Sequence, residues 1–420
     1  MKQLDLCFFE DENRNRLYPL SHTRPVYLLR CGINLLFDKI ARRYPQANLH
    51  FFCRNYLAPV LREQFPTIPV NQIEVDNCLL INGRFIPADE LPAPTEENLV
   101  WRCKGEIVAA SLSGERLQQM LHTADGIIRQ EAFRGLPSRE LQGTLNSFSW
   151  DLVHQNAAQI ASDFSHLNVG GQILGRIYPN VTLLNEKHVF IGEGARIYPG
   201  VVLDAEDGPI YIGKNATIMA NAVLQGPCFA GENSWIKIGA KIYHGTSIGE
   251  RCKVGGEVET SIIHSYSNKQ HEGFLGHSYL GQWVNIGAGS NNSDLKNNYS
   301  SIKVHVNGQI VDSGLTSVGL TMGDHAKCGI NTMFNTGSVV GVMSNVLGAG
   351  FTPKFIPSFT WGGIEKMEVY DGEKALETAR RVMKRRNVEM SAAQEKMLRE
   401  VFVITEKERD FEKPRIENRG

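Results

Sequence analysis

Between residues 175 and 350 the chain repeats itself every six residues, and that rhythm limits what it can become. The units Ile191-Gly192-Glu193-Gly194-Ala195-Arg196 and Ile197-Tyr198-Pro199-Gly200-Val201-Val202 return as Ile212-Gly213-Lys214-Asn215-Ala216-Thr217 and Ile218-Met219-Ala220-Asn221-Ala222-Val223. Ile242, Ile248, Leu275, Leu280, Ile286 and Met322 carry the pattern further. An aliphatic residue followed by glycine at this spacing is the signature of a parallel β-helix built from hexapeptide units. Each unit supplies a short strand and a tight corner. The aliphatic side chain points into a triangular prism, and Gly or Asn takes the corner, where positive φ costs least. Three units make a coil. No coil is stable alone, so neighbours must stack to bury a continuous column, and the stretch is long enough for roughly eight to ten coils.

Composition excludes several other classes. Lys plus Arg (44) nearly balance Asp plus Glu (45), which argues against a nucleic-acid coat or a polybasic membrane anchor. No apolar run approaches the roughly 18–20 residues of a membrane span, and Met1-Lys2-Gln3-Leu4-Asp5 has no signal-peptide pattern. The eight cysteines are scattered without a C-x-x-C pair, as expected of free thiols in a reducing cytoplasm rather than of disulfides or a zinc knuckle. A cytoplasmic protein is expected.

The rhythm divides the chain into residues 1–165, 168–352 and 353–420. The first segment reads as an α/β domain. Strands are expected at Leu4–Phe9, Asn48–Phe52 and Cys78–Asn82. A further pair, Leu99–Arg102 and Glu106–Ala110, would close across Lys104-Gly105. Helices are expected over Tyr56–Phe65, Gly114–Ile128 and Asp151–Phe164, so the sheet should be mostly parallel. The β-helix is expected to be interrupted at 257–276 and by a polar insertion at 290–316. Beyond Phe351, Pro353, Pro357 and Trp361-Gly362-Gly363 should leave the repeat. A charged helical stretch over 371–403, with Ala375, Leu376, Ala379, Val382 and Met383 on one face, is expected to cap the last coil.

The run Asn268 to Gly289 carries a likeness to a known group. It reads Asn-Lys-Gln-His-Glu-Gly-Phe-Leu-Gly-His-Ser-Tyr-Leu-Gly-Gln-Trp-Val-Asn-Ile-Gly-Ala-Gly and resembles the acetyltransferase half of the bifunctional enzymes that make UDP-N-acetylglucosamine. Those enzymes join a sugar-1-phosphate uridyltransferase domain to a trimeric left-handed β-helix. Close motif similarity is confined to about 255–300. The resemblance implies His271 as catalytic base, since an amine must lose a proton as it attacks a thioester and imidazole suits neutral pH. It implies Asn285 as a sugar contact, Ala288 at the acetyl-CoA thioester, Lys237 near the sugar phosphate, and Asn298-Tyr299 as a further substrate pair. Two positions depart from the pattern. Glu259 replaces a phosphate-binding lysine, where a carboxylate would repel phosphate, and Phe274 replaces a sugar-contacting tyrosine. A different sugar or acyl acceptor is therefore open. For His271 the alternative is a corner histidine bonded to its neighbours. His264, His271 and His277 could hold a metal on a threefold axis, but no carboxylate–His spacing supports one, so no metal ligand is expected there.

The first segment bears a second likeness. Arg16-Leu17-Tyr18-Pro19-Leu20-Ser21, then Pro25, resembles the Arg-Leu-x-Pro-Leu-Thr-x-x-x-Pro stretch of sugar nucleotidyltransferases. Their glycine-rich loop wraps the triphosphate with backbone N–H groups. Here that loop is Asp11-Glu12-Asn13-Arg14-Asn15-Arg16, without glycine, Val26 replaces a lysine, and Asn82-Gly83-Arg84 stands where a metal-binding Gly-Asp would be. One reading makes Arg14, Arg16, Arg24 and Arg30 the nucleotide-phosphate ligands in place of a glycine cradle. The other makes the domain degenerate, a holder of sugar nucleotide or a frame for the trimer.

Together the likenesses imply a nucleotidyltransferase-like, Rossmann-like α/β domain, a left-handed β-helix and a helical tail, assembled as a homotrimer. They imply a transferase of nucleotide-sugar synthesis for cell-envelope polysaccharide. Sugar phosphate, a nucleoside triphosphate with Mg2+, and acetyl-CoA as acyl donor would be its small-molecule partners. The alternative is a sugar-nucleotide-binding or regulatory trimer without catalysis.

Overall fold

The computed structural model describes residues 3–88, 91 and 98–411. The first segment contains β1 (Asp5–Phe9), α1 (Leu36–Ala41), β2 (Asn48–Phe51), α2 (Ala58–Gln64), β3 (Asn77–Asn82), β4 (Phe85–Pro87), β5 (Leu99–Cys103), β6 (Glu106–Ser113), α3 (Gly114–Leu121), β7 (Ser138–Glu140), β8 (Gly143–Leu145) and α4 (Ser149–Leu167). Six strands form one sheet in the order β2-β1-β3-β6-β5-β7. The sheet is mixed rather than mostly parallel: β1 runs parallel to β2 and β3, but β6 is antiparallel to both β3 and β5. The cause is local. Lys104 (φ +53°) and Gly105 (φ +81°) make a tight hairpin, which can only join antiparallel strands. Helix α3 stops at Leu121, short of the expected Ile128. The chain crosses over Cys53 at Gly126 (φ +75°), where a Cβ would lie 2.0 Å from the Cys53 carbonyl oxygen.

The second segment is a parallel β-solenoid of about 10 turns. The aliphatic positions do what the repeat demands, and Ile191, Ile197, Ile212, Ile218, Leu224, Ile236, Ile248 and Val254 are all 0% exposed in one column. Residues 257–276 do not interrupt it. Glu257–Glu259, Ile262–Ile263, Asn268–Lys269 and Phe274–Gly276 pair in register with the coil below. The expected interruption failed because polar residues at outward positions do not disturb the inward ones. The insertion after Asn292 is real, but it is not a loose loop. It folds into an antiparallel hairpin, Lys303–Val306 with Gln309–Asp312, and buries Ile302, Val304 and Val306 against Trp150 and Val339. Ile302→Val is expected to cost about 0.5–1.5 kcal/mol, read as a lower urea midpoint. An unchanged midpoint would mean the hairpin is undocked in solution.

The coil also runs further than expected. Phe355–Ile356 pairs with Val339–Val340, and Thr360–Gly363 with Asn345–Leu347, so Pro357 and Trp361 lie within the solenoid. The charged stretch is two helices, α5 (Gly372–Lys384) and α6 (Ala392–Ile404), broken near Asn387 (φ +56°). They do not simply cap the last coil. Ala375, Leu376, Ala379, Met397, Leu398 and Val401 join one core with Leu57, Ala58 and Leu61 of the first segment and with Met343 and Phe359 of the coil.

One face of the prism carries the first domain. Its outward positions read Phe190, Tyr211, Phe229, Ser247, Ile262, Tyr279 and Thr321 up successive rungs. Phe190 and Phe229 pack with Ile33, Ile160 and Phe164, and Ile262 and Tyr279 pack with Leu17, Leu20, Leu29 and Leu152. Asn156 Nδ2 donates to Ser247 Oγ at 3.0 Å, and Arg30 N donates to the Tyr279 hydroxyl at 2.8 Å. No described helix is long and apolar enough to cross a membrane. The cysteines are free and buried.

Candidate active site

The arginine-rich loop follows directly on β1, at the C-terminal end of that strand. It is tied to its own domain. Asp11, fully buried, accepts from Arg84 Nε at 3.0 Å and Nη2 at 2.6 Å, from Asn82 Nδ2 at 2.9 Å and from Gln130 Nε2 at 2.9 Å. Arg84 Nη2 also reaches Glu106 Oε2 at 2.5 Å. Glu10 takes a fork from Arg54, at 2.9 and 3.0 Å, and Glu12 accepts from the Gln130 backbone N–H. These acids are thus occupied by internal donors. A Mg2+ ion needs free carboxylate oxygens, and among the described residues no group of three or more His, Cys, Asp or Glu is placed to hold a metal ion.

The four predicted phosphate ligands divide. Arg14 Nη1 lies 3.4 Å from the carbonyls of Asp11 and Glu12, and Arg16, 40% exposed, stands 3.8 Å from Glu106. These two stay at the mouth of the sheet. Arg24 and Arg30 turn away into the solenoid. Arg24 Nη2 bonds Asp324 Oδ2 at 2.5 Å, beside Thr23 Oγ1 at 2.7 Å, and Arg30 Nη2 bonds Glu250 Oε1 at 2.5 Å. Both arginines are buried and work as struts between the domains.

On the coil, four predicted residues gather along one edge of the prism. Lys237 lies at its corner beneath Gly255, whose Cβ would approach the Lys237 Cβ to 3.0 Å. Gly255 N–H donates to the Lys269 carbonyl at 2.7 Å, which puts the His271 corner on the next rung. Gly289 N–H donates to the Glu272 carbonyl at 2.9 Å, so the Ala288 corner stacks directly above His271. Asn285 opens that rung and accepts from Asn268 Nδ2 at 3.4 Å. The His271 side chain is exposed.

The outward ladder beside this edge runs Trp235, Lys253, Asn268, Asn285, Lys327. Lys237 and Lys253 lie 5.9 and 5.6 Å from the Trp235 ring centre. Arg386, between α5 and α6, donates to Asn268 Oδ1 at 2.6 Å and to the Arg251 carbonyl at 3.1 Å. The tail therefore reaches the ladder, which its helical pattern did not reveal. Burial lowers Lys327 to about 8. An imidazole, two amides and several cations on one open edge can meet a polar, phosphate-bearing substrate and take up a proton from it.

Asn298 and Tyr299 are not part of this edge. They sit on the excursion that follows Asn292, both exposed, with Tyr299 at 70%. The three histidines also separate. His264 is buried, its Nε2 3.0 Å from the Leu28 carbonyl; burial with Arg24 and Arg30 nearby lowers it well below the usual imidazole range. His277 lies at the next corner of the coil, its Nδ1 2.7 Å from Asp294 Oδ2. The Asp294 partner lies 17 residues away, and no local spacing announced it.

Residues 6–171 match the family model described as sugar nucleotidyl transferase. The bifunctional protein GlmU of Rippkaea orientalis is 30% identical over 136 residues, covering 30% of this chain and 27% of its own. A bifunctional sugar-1-phosphate nucleotidylyltransferase/acetyltransferase of Sulfurisphaera tokodaii is 31% identical over 103 residues, 24% of this chain and 26% of its own. The GlmU protein of Clostridioides difficile is 32% identical over 187 residues, 41% of this chain and 40% of its own. The chain thus spans between about a quarter and two fifths of the length of these curated relatives.

Proposed function

We propose, since this chain is a divergent relative of the bifunctional GlmU proteins, that it is a transferase of nucleotide-sugar synthesis whose solenoid moves an acyl group from acyl-CoA to an amino-sugar phosphate. The observation that carries this reading is the stacking of Lys237, His271, Asn285 and Ala288 along one prism edge. The acceptor amine attacks the thioester carbonyl carbon, and the His271 imidazole takes the proton the amine sheds. The C–S bond then breaks, and CoA leaves as its thiolate, which takes up a proton. Asn285 would orient the sugar, Lys237 would meet its phosphate, and Ala288 would offer backbone to the thioester. Asn298 and Tyr299 would join the site only if the excursion approached it, as from a neighbouring copy. A homotrimer is part of the reading, and light scattering after gel filtration should give three times 46.8 kDa. A monomer mass would remove any site shared between copies.

The closing of Asp11 by Arg84 favours a second reading for the first domain, in which it holds a sugar nucleotide through Arg14 and Arg16 without turning it over. The acids there that could ligate Mg2+ are engaged by internal donors. One panel separates these outcomes. Acetyl-CoA with an amino-sugar 1-phosphate should release free CoA thiol. A sugar nucleotide should raise the melting temperature without releasing pyrophosphate, since ligand at about 100 times Kd adds about 2.7 kcal/mol. Pyrophosphate release from a nucleoside triphosphate and a sugar 1-phosphate would restore the two-reaction enzyme. No thiol release with any amino-sugar phosphate would sink the acyl-transfer reading.

A further inference from the structure

The aliphatic column has one exception beside the candidate edge. On the inward side of that face the rungs read Ile197, Ile218, Ile236 and Val254, and the next is Lys269, only 2% exposed. Its ammonium reaches the corner rather than the centre. Nζ donates to the Gly255 carbonyl at 3.0 Å and to the His271 carbonyl at 2.7 Å, so one side chain ties two successive corners together. The corner beneath is shaped to admit it. Gly256 holds φ +70°, and a Cβ there would lie 2.7 Å from both Lys269 Nζ and the His271 oxygen.

We propose that Lys269 is the positioning residue for His271: from inside the coil its ammonium grips the Gly255 and His271 carbonyls and fixes the corner that carries the imidazole. This has a catalytic consequence only where His271 is the base, as read above; the grip itself does not depend on that reading. A stability role does not account for the residue. Desolvating an ammonium is costly, and a Met or Ile would continue the column. Burial lowers Lys269 to about 8, opposed by Glu272 and Glu257 and aided by Lys241, with the Cys328 thiol also facing it. A depressed lysine favours folding above its ordinary value, and that advantage is lost as pH falls through about 8. At neutral pH the charged group therefore costs stability, while its charge-assisted bonds are what hold the corner.

Two measurements test this. In wild-type protein, amide exchange at residues 270–273, corrected for its intrinsic pH dependence, should be slow at pH 7 and at least tenfold faster at pH 9. In Lys269→Met the same amides should exchange fast at both values, with a melting temperature at pH 7 no lower than wild type. In the acyl-transfer assay Lys269→Met should lose at least tenfold in kcat with KM for acyl-CoA within twofold. The fall of wild-type activity above pH 8 should be absent from the variant. Exchange that ignores both pH and the substitution would overturn the assignment, as would an unchanged kcat in an enzyme that needs His271. If the corner loosens as described but His271→Ala is fully active, the grip stands and the reading of His271 as base falls. Should Lys269→Met fail to fold, the wild-type exchange at the two pH values decides alone.

Discussion

His271→Ala should lower acyl transfer by about 10²–10⁴, the range for removing a positioned general base, and leave the melting temperature within about 1 °C, a surface-substitution effect. The two halves of this result have separate causes. An amine attacking a thioester must shed a proton, and without a positioned base the proton goes to water at a higher barrier. The stability half follows from how the corner is built. The imidazole is exposed, whereas the turn is held by its backbone, through the Lys269 ammonium on the His271 carbonyl and the Gly289 N–H on the Glu272 carbonyl. Initial rates of CoA thiol release, with a melting curve on the same sample, check both. His277→Ala is the instructive control, because that imidazole is paired with Asp294 at a different corner. A large loss in His277→Ala with an unaffected His271→Ala would move the base to the carboxylate-oriented histidine.

Arg84→Met should destabilise the protein by about 3–5 kcal/mol, the cost of leaving a buried charge without its partner. Arg84 is fully buried and forks onto Asp11, itself fully buried, while also reaching Glu106. Removing the guanidinium leaves the Asp11 carboxylate with only the two amide donors of Asn82 and Gln130. Arg84→Met combined with Asp11→Leu should recover most of the loss, because an apolar pair of similar volume avoids the desolvation of both charges. Urea midpoints at constant m-value read this directly. A loss below about 1 kcal/mol, typical of an exposed pair, would mean that water enters the cluster and the lock is open in solution. In that event Asp11 would be available to a metal, and the two-reaction enzyme would gain ground over the holding domain.

The two substitutions also separate the domains. His271 stands on the solenoid edge, and Arg84 follows β3 in the sheet. The domains are joined by two ion pairs, Arg24 with Asp324, buried on both sides, and Arg30, itself buried, with the partly exposed Glu250. Arginines that the motif offered as phosphate ligands are thus spent on fixing one domain to the other. A phosphate bound by Arg24 would have to break a fully buried ion pair, and one bound by Arg30 would have to displace Glu250 from a buried guanidinium. Arg14 and Arg16 have only weak or exposed contacts to give up.

The sequence by itself determined the solenoid, because the repeat is a local rule. Inward positions recur as aliphatic residues at short, local spacing, and Ile191, Ile212 and Leu280 announce this without reference to any distant contact. That Lys237, His271, Asn285 and Ala288 lie along one edge was not legible, because the coil length changes there, from 18 residues between Ile236 and Val254 to 15 between Val254 and Lys269 and 17 between Asn268 and Asn285. Local chemistry gave the hairpin at Lys104-Gly105 and the strands on either side. What only the tertiary structure decided lies across the chain. Phe190, Tyr211, Phe229 and Tyr279 are outward positions that ought to be polar, and they are not, because the first domain covers that face. Asp11 and Arg84 are 73 residues apart, and Arg24 and Asp324 are 300 apart. No periodicity links such pairs, and a charge reads the same in sequence whether it awaits a ligand or already has a buried partner. Lys269 is the sharpest case. In sequence it is one lysine beside a histidine. Only the register shows it on an inward rung, where burial turns an ordinary surface charge into a fixed donor for its own corner and the one beneath.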